Sequence, residues 1–168
     1  DGSNSDEVIF LIYGSNVESV FPSWDEIGYI YNPDGYGDVC ASNDLLNLFD
    51  PADVRGQLFN DSPAYAGYYW PAKYPGKSGD TRVNNIPVIR LSEMYLIRAE
   101  AVLNGASGNA LADYNMIRTN RGLAAATTVS LTDVYNERRR ELCFEGNRMW
   151  DLSRTGRGLE RDNEDNKI

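Results

Sequence analysis

The chain has 168 residues, 42% of them hydrophobic and 24% charged, enough to bury a core as a single domain, and no apolar run approaches the length that crosses a bilayer. Its net charge of −9 is concentrated in residues 1–80, which carry 13 acidic and 3 basic side chains against 12 and 13 in residues 81–168, and an acidic surface of this kind disfavours nucleic acid and anionic lipid as partners. Histidine is absent, which removes the commonest general base and zinc ligand, and Cys40 and Cys143 stand too far apart for metal-ligand spacing.

The opening residues, DGSNSDEVIF, lack the basic and apolar regions of a secretory signal, which leaves location open because a processed chain would lack them too. EVIFLIY at 7–13 is apolar and β-prone, and predicts a short strand. From 14 to 43, Gly, Asn, Pro, Asp and Ser punctuate the chain and predict a long ordered loop, a feature that in compact domains usually carries function. Within it, NPDGYGD at 32–38 lacks the spaced ligands and closing glutamate of an EF-hand and reads as a turn. Short helical pieces follow at 44–49 and 51–55, the second capped by Asp50 with Pro51 at its first position. Strand-like residues then surround Tyr68, Tyr69 and Trp70, a group expected mainly in the core.

The second half changes character. Leu91, Met94, Tyr95, Ala99, Val102 and Leu103 predict one amphipathic helix, ended by GASG at 105–108; a second, over 109–121, turns Leu111, Tyr114 and Ile117 inward and stops at Gly122. Ser130 and Asp133 form a capping-box variant for a third helix reaching about Glu145, with Leu131, Val134, Leu142 and Phe144 for packing, before a short WDLSR segment. The pair at 91–122 has the length of one tetratricopeptide-like hairpin, with Ala110 and Tyr114 in the small-then-aromatic pattern, although Arg98 and Ala101 replace the Gly and Tyr that such a repeat prefers. The predicted fold is therefore mainly α with minor β: a TPR-like helical hairpin, an additional helix and a long irregular loop region.

Glu93, Glu100, Glu137, Glu141 and Glu145 would supply the two carboxylates a glycosidase needs, but Arg138, Arg139, Arg140 and Arg148 beside them predict structural ion pairs instead. Glu141 and Glu145, four residues apart, would repel each other, so at least one is expected to take an arginine from elsewhere. The aromatics point to a different chemistry. Residues 1–80 hold 14 of the 19, eight of them tyrosine, set among Asp, Asn and Gly rather than aliphatics. A pyranose presents flat C–H faces to such rings while its hydroxyls meet neighbouring carboxylates, amides and phenols. Single strands of nucleic acid also stack, but require positive charge that this half lacks. Trp24, Tyr29, Tyr31 and Tyr36 are the candidate ligand-contacting residues; no catalytic residue, metal or cofactor is expected.

Three strings, IRLSEMYLIRAEAVLNG at 89–105, ALADYNMIRTNRGL at 110–123 and YNERRRELCFEGNRMWDLSRTG at 135–156, resemble the C-terminal signature of the SusD/RagB family, and IFLIY, DPADVR and WPAKYPG extend the resemblance upstream. Within the third string the ERRREL, FEGNR and WDL cluster is the most specific part. The resemblance implies a SusD-like fold of the α-α superhelix type. It further implies a non-catalytic oligosaccharide-binding lipoprotein on the outer face of the bacterial outer membrane, handing glycan to a SusC-like TonB-dependent transporter. The family's lipid-bearing segment, most of its helical repeats and its usual Asn/Pro/Tyr-rich ending have no counterpart here, so the resemblance also implies a portion of a longer chain. Two other readings are a glycoside-processing enzyme and a protein-interaction scaffold built on the repeat-like hairpin.

Overall fold

A computed structural model of the chain describes residues 6–15 and 26–159. Among them lie six helices and four short strands: β1 (Val8–Ile12), α1 (Ile27–Tyr31), α2 (Asn43–Leu46), a 3₁₀ turn (Val54–Leu58), β2 (Phe59–Asp61), β3 (Tyr69–Pro71), β4 (Ile86–Arg90), α3 (Leu91–Leu103), α4 (Ala110–Asn120), α5 (Leu131–Glu141) and α6 (Arg148–Arg154). The expected mainly helical architecture with minor β is the one observed. No described helix is long and apolar enough to cross a membrane. The chain divides into two compact units interleaved in sequence: residues up to Ala41 with Gln57–Leu91, and Ser42–Gly56 with the residues from Ser92 onward.

The first unit holds both sheets. β1 pairs antiparallel with β4, with Val8 opposite Arg90 and Ile12 opposite Ile86, and register irregularities around Phe10. The Lys77 ammonium closes the end of this pair, donating to the Gly14 carbonyl at 2.8 Å and lying 3.8 Å from the centre of the Tyr13 ring. β2 and β3 form a hairpin with Asn60 opposite Trp70. The 14–43 region is not loop throughout: α1 occupies Ile27–Tyr31, and α2 starts after Ser42, whose hydroxyl accepts from the Leu45 amide at 3.2 Å. Loop-forming residues flank α1, so punctuation read alone hides a helix only five residues long.

In the second unit α3 and α4 close on a core of Leu96, Ala99, Ala110, Tyr114, Ile117 and Val134. Ala99 and Ala110 let the helices approach, and Arg98 ties them by two hydrogen bonds to Asp113. The buried face of α3 runs through Ser92, Leu96 and Ala99, so Leu91, expected inward, is exposed and Met94 is only half-buried. Ala99 is buried and Tyr95, Val102 and Leu103 pack against the core as the pattern predicts, while Leu91 departs from it because it sits at the junction with β4.

α4 begins at Asn109, whose side chain accepts from the Ala112 amide at 3.0 Å. It ends in a Schellman motif, with Leu123 N–H donating to Arg118 C=O at 3.0 Å and Gly122 at φ +81°. The chain returns to α5 along a segment pinned by both ends of the Asn115 amide to Ala126. The capping box at Ser130 and Asp133 forms as expected, but α5 ends at Glu141, and Phe144 turns the chain at φ +62°. Its inward stripe is Val134, Glu137, Arg138 and Glu141, charged rather than apolar. α6, expected as the short WDLSR segment, buries Asp151 and Leu152 and turns Met149 and Trp150 outward.

Gly122→Ala should destabilise the protein by about 1–2 kcal/mol from the left-handed backbone alone. The added Cβ would also press to 3.0 Å on the Ala52 carbonyl and 3.2 Å on Val54. Gly105→Ala meets open space and suffers only the conformational part. Urea unfolding of the two variants, followed by circular dichroism, should rank them in that order.

Candidate functional site

The acidic helices supply the first candidate. Arg55, 4% exposed, donates through Nε and Nη2 to both oxygens of Asp53 at 2.9 and 2.7 Å. Its Nη1 reaches Glu141 Oε2 at 2.8 Å and Glu137 Oε1 at 2.7 Å. Glu141 also accepts from Nε and Nη2 of Arg121, and Glu137 pairs with Arg140. Arg138 bonds Asp151 and Glu93, Arg154 bonds Asp151 and Glu100, and Arg139 pairs with Asp44. Of the four arginines expected to pair with these glutamates, Arg138 reaches Glu93 and Arg140 reaches Glu137, whereas Arg139 pairs with Asp44 and Arg148 lies near Arg139 and Arg157; the other glutamate partners, Arg55, Arg121 and Arg154, are ones the sequence does not reveal.

Burial pushes Asp53 upward, but its bonds to Arg55 outweigh that and hold it below the usual carboxylate range. Asp151 follows the same pattern, with burial opposed by Arg138 and Arg154. A general acid for glycoside cleavage must instead keep its proton near neutrality. Carboxylates engaged by buried arginines on several sides have the arrangement of a structural lock rather than of an acid and base flanking a substrate.

The second candidate is aromatic and lies in the first unit. Asn32 makes an Asx turn, its side-chain oxygen accepting from the Asp34 amide at 2.9 Å, and the Gly35 amide donates to the Asn32 carbonyl. Gly35 is required by close approach, since a Cβ there would lie 2.4 Å from the Tyr29 carbonyl. The turn sets Tyr36 edge-on over Tyr29, with ring centres 5.1 Å apart and planes at 81°. Tyr36 is 53% exposed, whereas Tyr29 is half-buried beneath it. Tyr31 leans on the buried Tyr74, 5.8 Å between centres, and burial raises its phenol above the ordinary value. Trp24 lies outside the described residues. Two of the candidate rings therefore meet, one of them facing solvent, and Tyr31 packs separately with Tyr74.

Sequence reasoning missed Tyr65, 56% exposed, whose ring centre lies 5.9 Å from that of Trp70. The signal available was the crowding of Tyr65, Tyr68, Tyr69 and Trp70 at a hairpin. Of the three consecutive aromatics expected mainly as core, Trp70 is buried, Tyr68 is half-buried and Tyr69 is 39% exposed, the alternation a strand imposes.

A helix-hairpin core joined in sequence to an aromatic, irregular segment defines the class, and comparison gives the family. Residues 54–167 match the SusD family, and the chain belongs to it. It is similar to a presumed sugar-binding protein of Bacteroides vulgatus ATCC 8482, with 34% identity, a TM-score of 0.80, and coverage of 99% of this chain and 39% of that one. A SusD superfamily protein of Bacteroides thetaiotaomicron VPI-5482 shares 31% identity at a TM-score of 0.77, over 93% of this chain and 39% of the other. Surface glycan-binding protein A from Bacteroides uniformis shares 27% identity at a TM-score of 0.72, covering 92% and 38%. The chain thus spans about two fifths of the length of the solved structures it resembles. None of the curated proteins matches it.

Arg55→Met, which leaves Asp53, Glu137 and Glu141 buried with one cation fewer, should cost about 3–5 kcal/mol. Because Asp53 and Asp151 are depressed in the fold, their contribution is complete above the unfolded aspartate value of about 3.9 and is lost as pH falls through the lower folded values. Urea midpoints measured from pH 6 to pH 2 should therefore fall at the acid end, and the Arg55→Met variant should lose the part of that slope due to Asp53.

Proposed function

We propose that this chain forms part of a non-catalytic carbohydrate-binding protein at the bacterial cell surface, with Tyr36 as a sugar-stacking residue. The observation that carries this reading is the posture of Tyr36, a ring braced edge-on by Tyr29 and left with more than half its surface in solvent. A ring fixed in advance loses little conformational freedom when a pyranose settles on it. Membership of the SusD family supports the reading, as does likeness to a surface glycan-binding protein of Bacteroides uniformis.

The same family membership supports delivery of glycan to a SusC-like TonB-dependent transporter, from a lipid-anchored position on the outer face of the outer membrane. Trp24, Tyr29 and Tyr31 remain candidate contacts beside Tyr36, with Tyr29 acting first as its support. The engagement of Glu93, Glu100, Glu137 and Glu141 by arginines supports binding without turnover.

Calorimetry of the complete natural polypeptide against neutral hexasaccharides of glucose, xylose and mannose should give heat with at least one. Tyr36→Ala should weaken that binding roughly 3- to 10-fold, the equivalent of about 0.6–1.4 kcal/mol. Silence across the panel, or an affinity indifferent to Tyr36→Ala, would overturn the assignment.

A further inference from the structure

The turn between α5 and α6 gathers positive charge. α5 carries Tyr135 and Arg139 four residues apart, hence on one face. Phe144 at φ +62° and Gly146 at φ +80° then reverse the chain, and Arg148, the first residue of α6, lies near Arg139 and Arg157. Arg157 is fixed in three ways. Its amide donates to the Leu152 carbonyl at 3.0 Å in a Schellman turn with Gly156 at φ +65°, and its Nε donates to Thr155 Oγ1 at 2.8 Å. Its guanidinium lies 4.0 Å from the centre of the Tyr135 ring. Three half-buried arginines therefore cluster beside Tyr135.

The carboxylates nearby do not balance them. Asp44 pairs with Arg139 at 2.7 Å, and Asp151 is already engaged by Arg138 and Arg154. Among the described residues Arg148 makes no hydrogen bond or ion pair, and Nη1 and Nη2 of Arg157 have no acceptor. Burial, with Arg139 and Arg157 alongside, lowers the Arg148 guanidinium from its ordinary value, the mark of a cation half out of water among like charges. Stacking on Tyr135 occupies the face of Arg157 and leaves its N–H edge to bond in the plane.

We propose that Arg139, Arg148 and Arg157 form a binding site for a phosphate-class dianion, either free phosphate or the phosphate monoester of a sugar. The site uses no residue of the sugar-stacking reading above and does not rest on it. Three guanidiniums against the carboxylate of Asp44 leave two positive charges, which a dianion offsets and a single carboxylate does not. A tetrahedral oxyanion also offers oxygens to N–H groups arriving from several directions, whereas a carboxylate is matched by one guanidinium fork.

The test uses the complete natural polypeptide at pH 7.5 and constant ionic strength, titrated with inorganic phosphate, glucose 6-phosphate, glucose and acetate. A site with a Kd of about 1 mM requires that 10 mM phosphate raise the thermal midpoint by roughly 2–4 °C. Arg148→Gln and Arg157→Gln should each weaken phosphate roughly tenfold in calorimetry, and Arg148→Lys, which keeps the charge but loses the fork, should retain part of the affinity. Without phosphate, Arg148→Gln should unfold at or above the wild-type temperature, because it relieves like-charge crowding and breaks no bond; a purely structural arginine would lower it. Glucose 6-phosphate binding more tightly than inorganic phosphate, with glucose silent, identifies the monoester as the ligand, and equal affinities identify free phosphate. The same phosphate response in wild type and both glutamine variants would overturn the site, and acetate binding as well as phosphate would overturn its assignment to a dianion.

Discussion

Arg55 is a guanidinium almost without water, and the second unit is arranged around the need to compensate it. An uncompensated buried charge is far more costly than a surface one, so three carboxylates converge on it from two directions: Asp53 from its own turn, Glu137 and Glu141 from α5. Those glutamates in turn need more than one cation, which Arg121 at the end of α4 and Arg140 within α5 supply. The result links the 50–56 segment, the C-terminus of α4 and the inward stripe of α5 through directional, largely bidentate contacts. Apolar packing among Leu96, Tyr114, Ile117 and Val134 brings the helices together, but it is non-directional. The charge network supplies the register, because each fork fits its carboxylate in one orientation.

The same network bears on function by subtraction. Glutamates at helical spacing beside arginines could be read as a catalytic pair or as a lock, and geometry separates the two. A catalytic pair needs one carboxyl kept protonated and a space between the two for the sugar. In this chain Glu137 and Glu141 share the Arg55 guanidinium as a common partner. The exposed aromatic rings of the first unit, Tyr36 and Tyr65 among them, are the other candidate for ligand recognition.

Legibility from sequence followed the range of the interactions. Helix existence, the Asn109 cap and Gly122 stop of α4 and the Ser130–Asp133 capping box depend on residues within one or two turns, and periodicity with capping chemistry exposes them directly. The charged inward stripe of α5 did not show, because Glu137 and Glu141 look like surface residues until Arg55, more than eighty positions away, is placed beside them. Tyr36 was legible as a candidate from its polar, glycine-rich setting. Tyr65 was not, since its support is an indole whose own partner is a backbone carbonyl at Gly37, a link that no local pattern contains. The burial of Tyr31 against Tyr74 has the same origin, a contact across 43 positions between residues of similar appearance.

The uneven charge of the two halves acquires a physical meaning from these contacts. The C-terminal half holds 13 basic and 12 acidic side chains, near balance, and consumes many of them in internal pairs. The N-terminal half holds acids in large excess, and its cations are three, Arg55, Lys73 and Lys77: Arg55 is buried in the network, and Lys77 is committed to Gly14, Asn85 and the face of Tyr13. Some of these acids take arginines from the C-terminal half, as Glu7, Asp44 and Asp80 do, and exposed ones such as Asp34, Asp38 and Asp61 are hydrated acceptors suited to sugar hydroxyls. Aromatic rings set among such acceptors can recognise a ligand that is flat on its faces and polar at its edges. A neutral sugar ring has that character, whereas a lipid tail lacks the polar edge and a phosphate backbone carries the wrong charge.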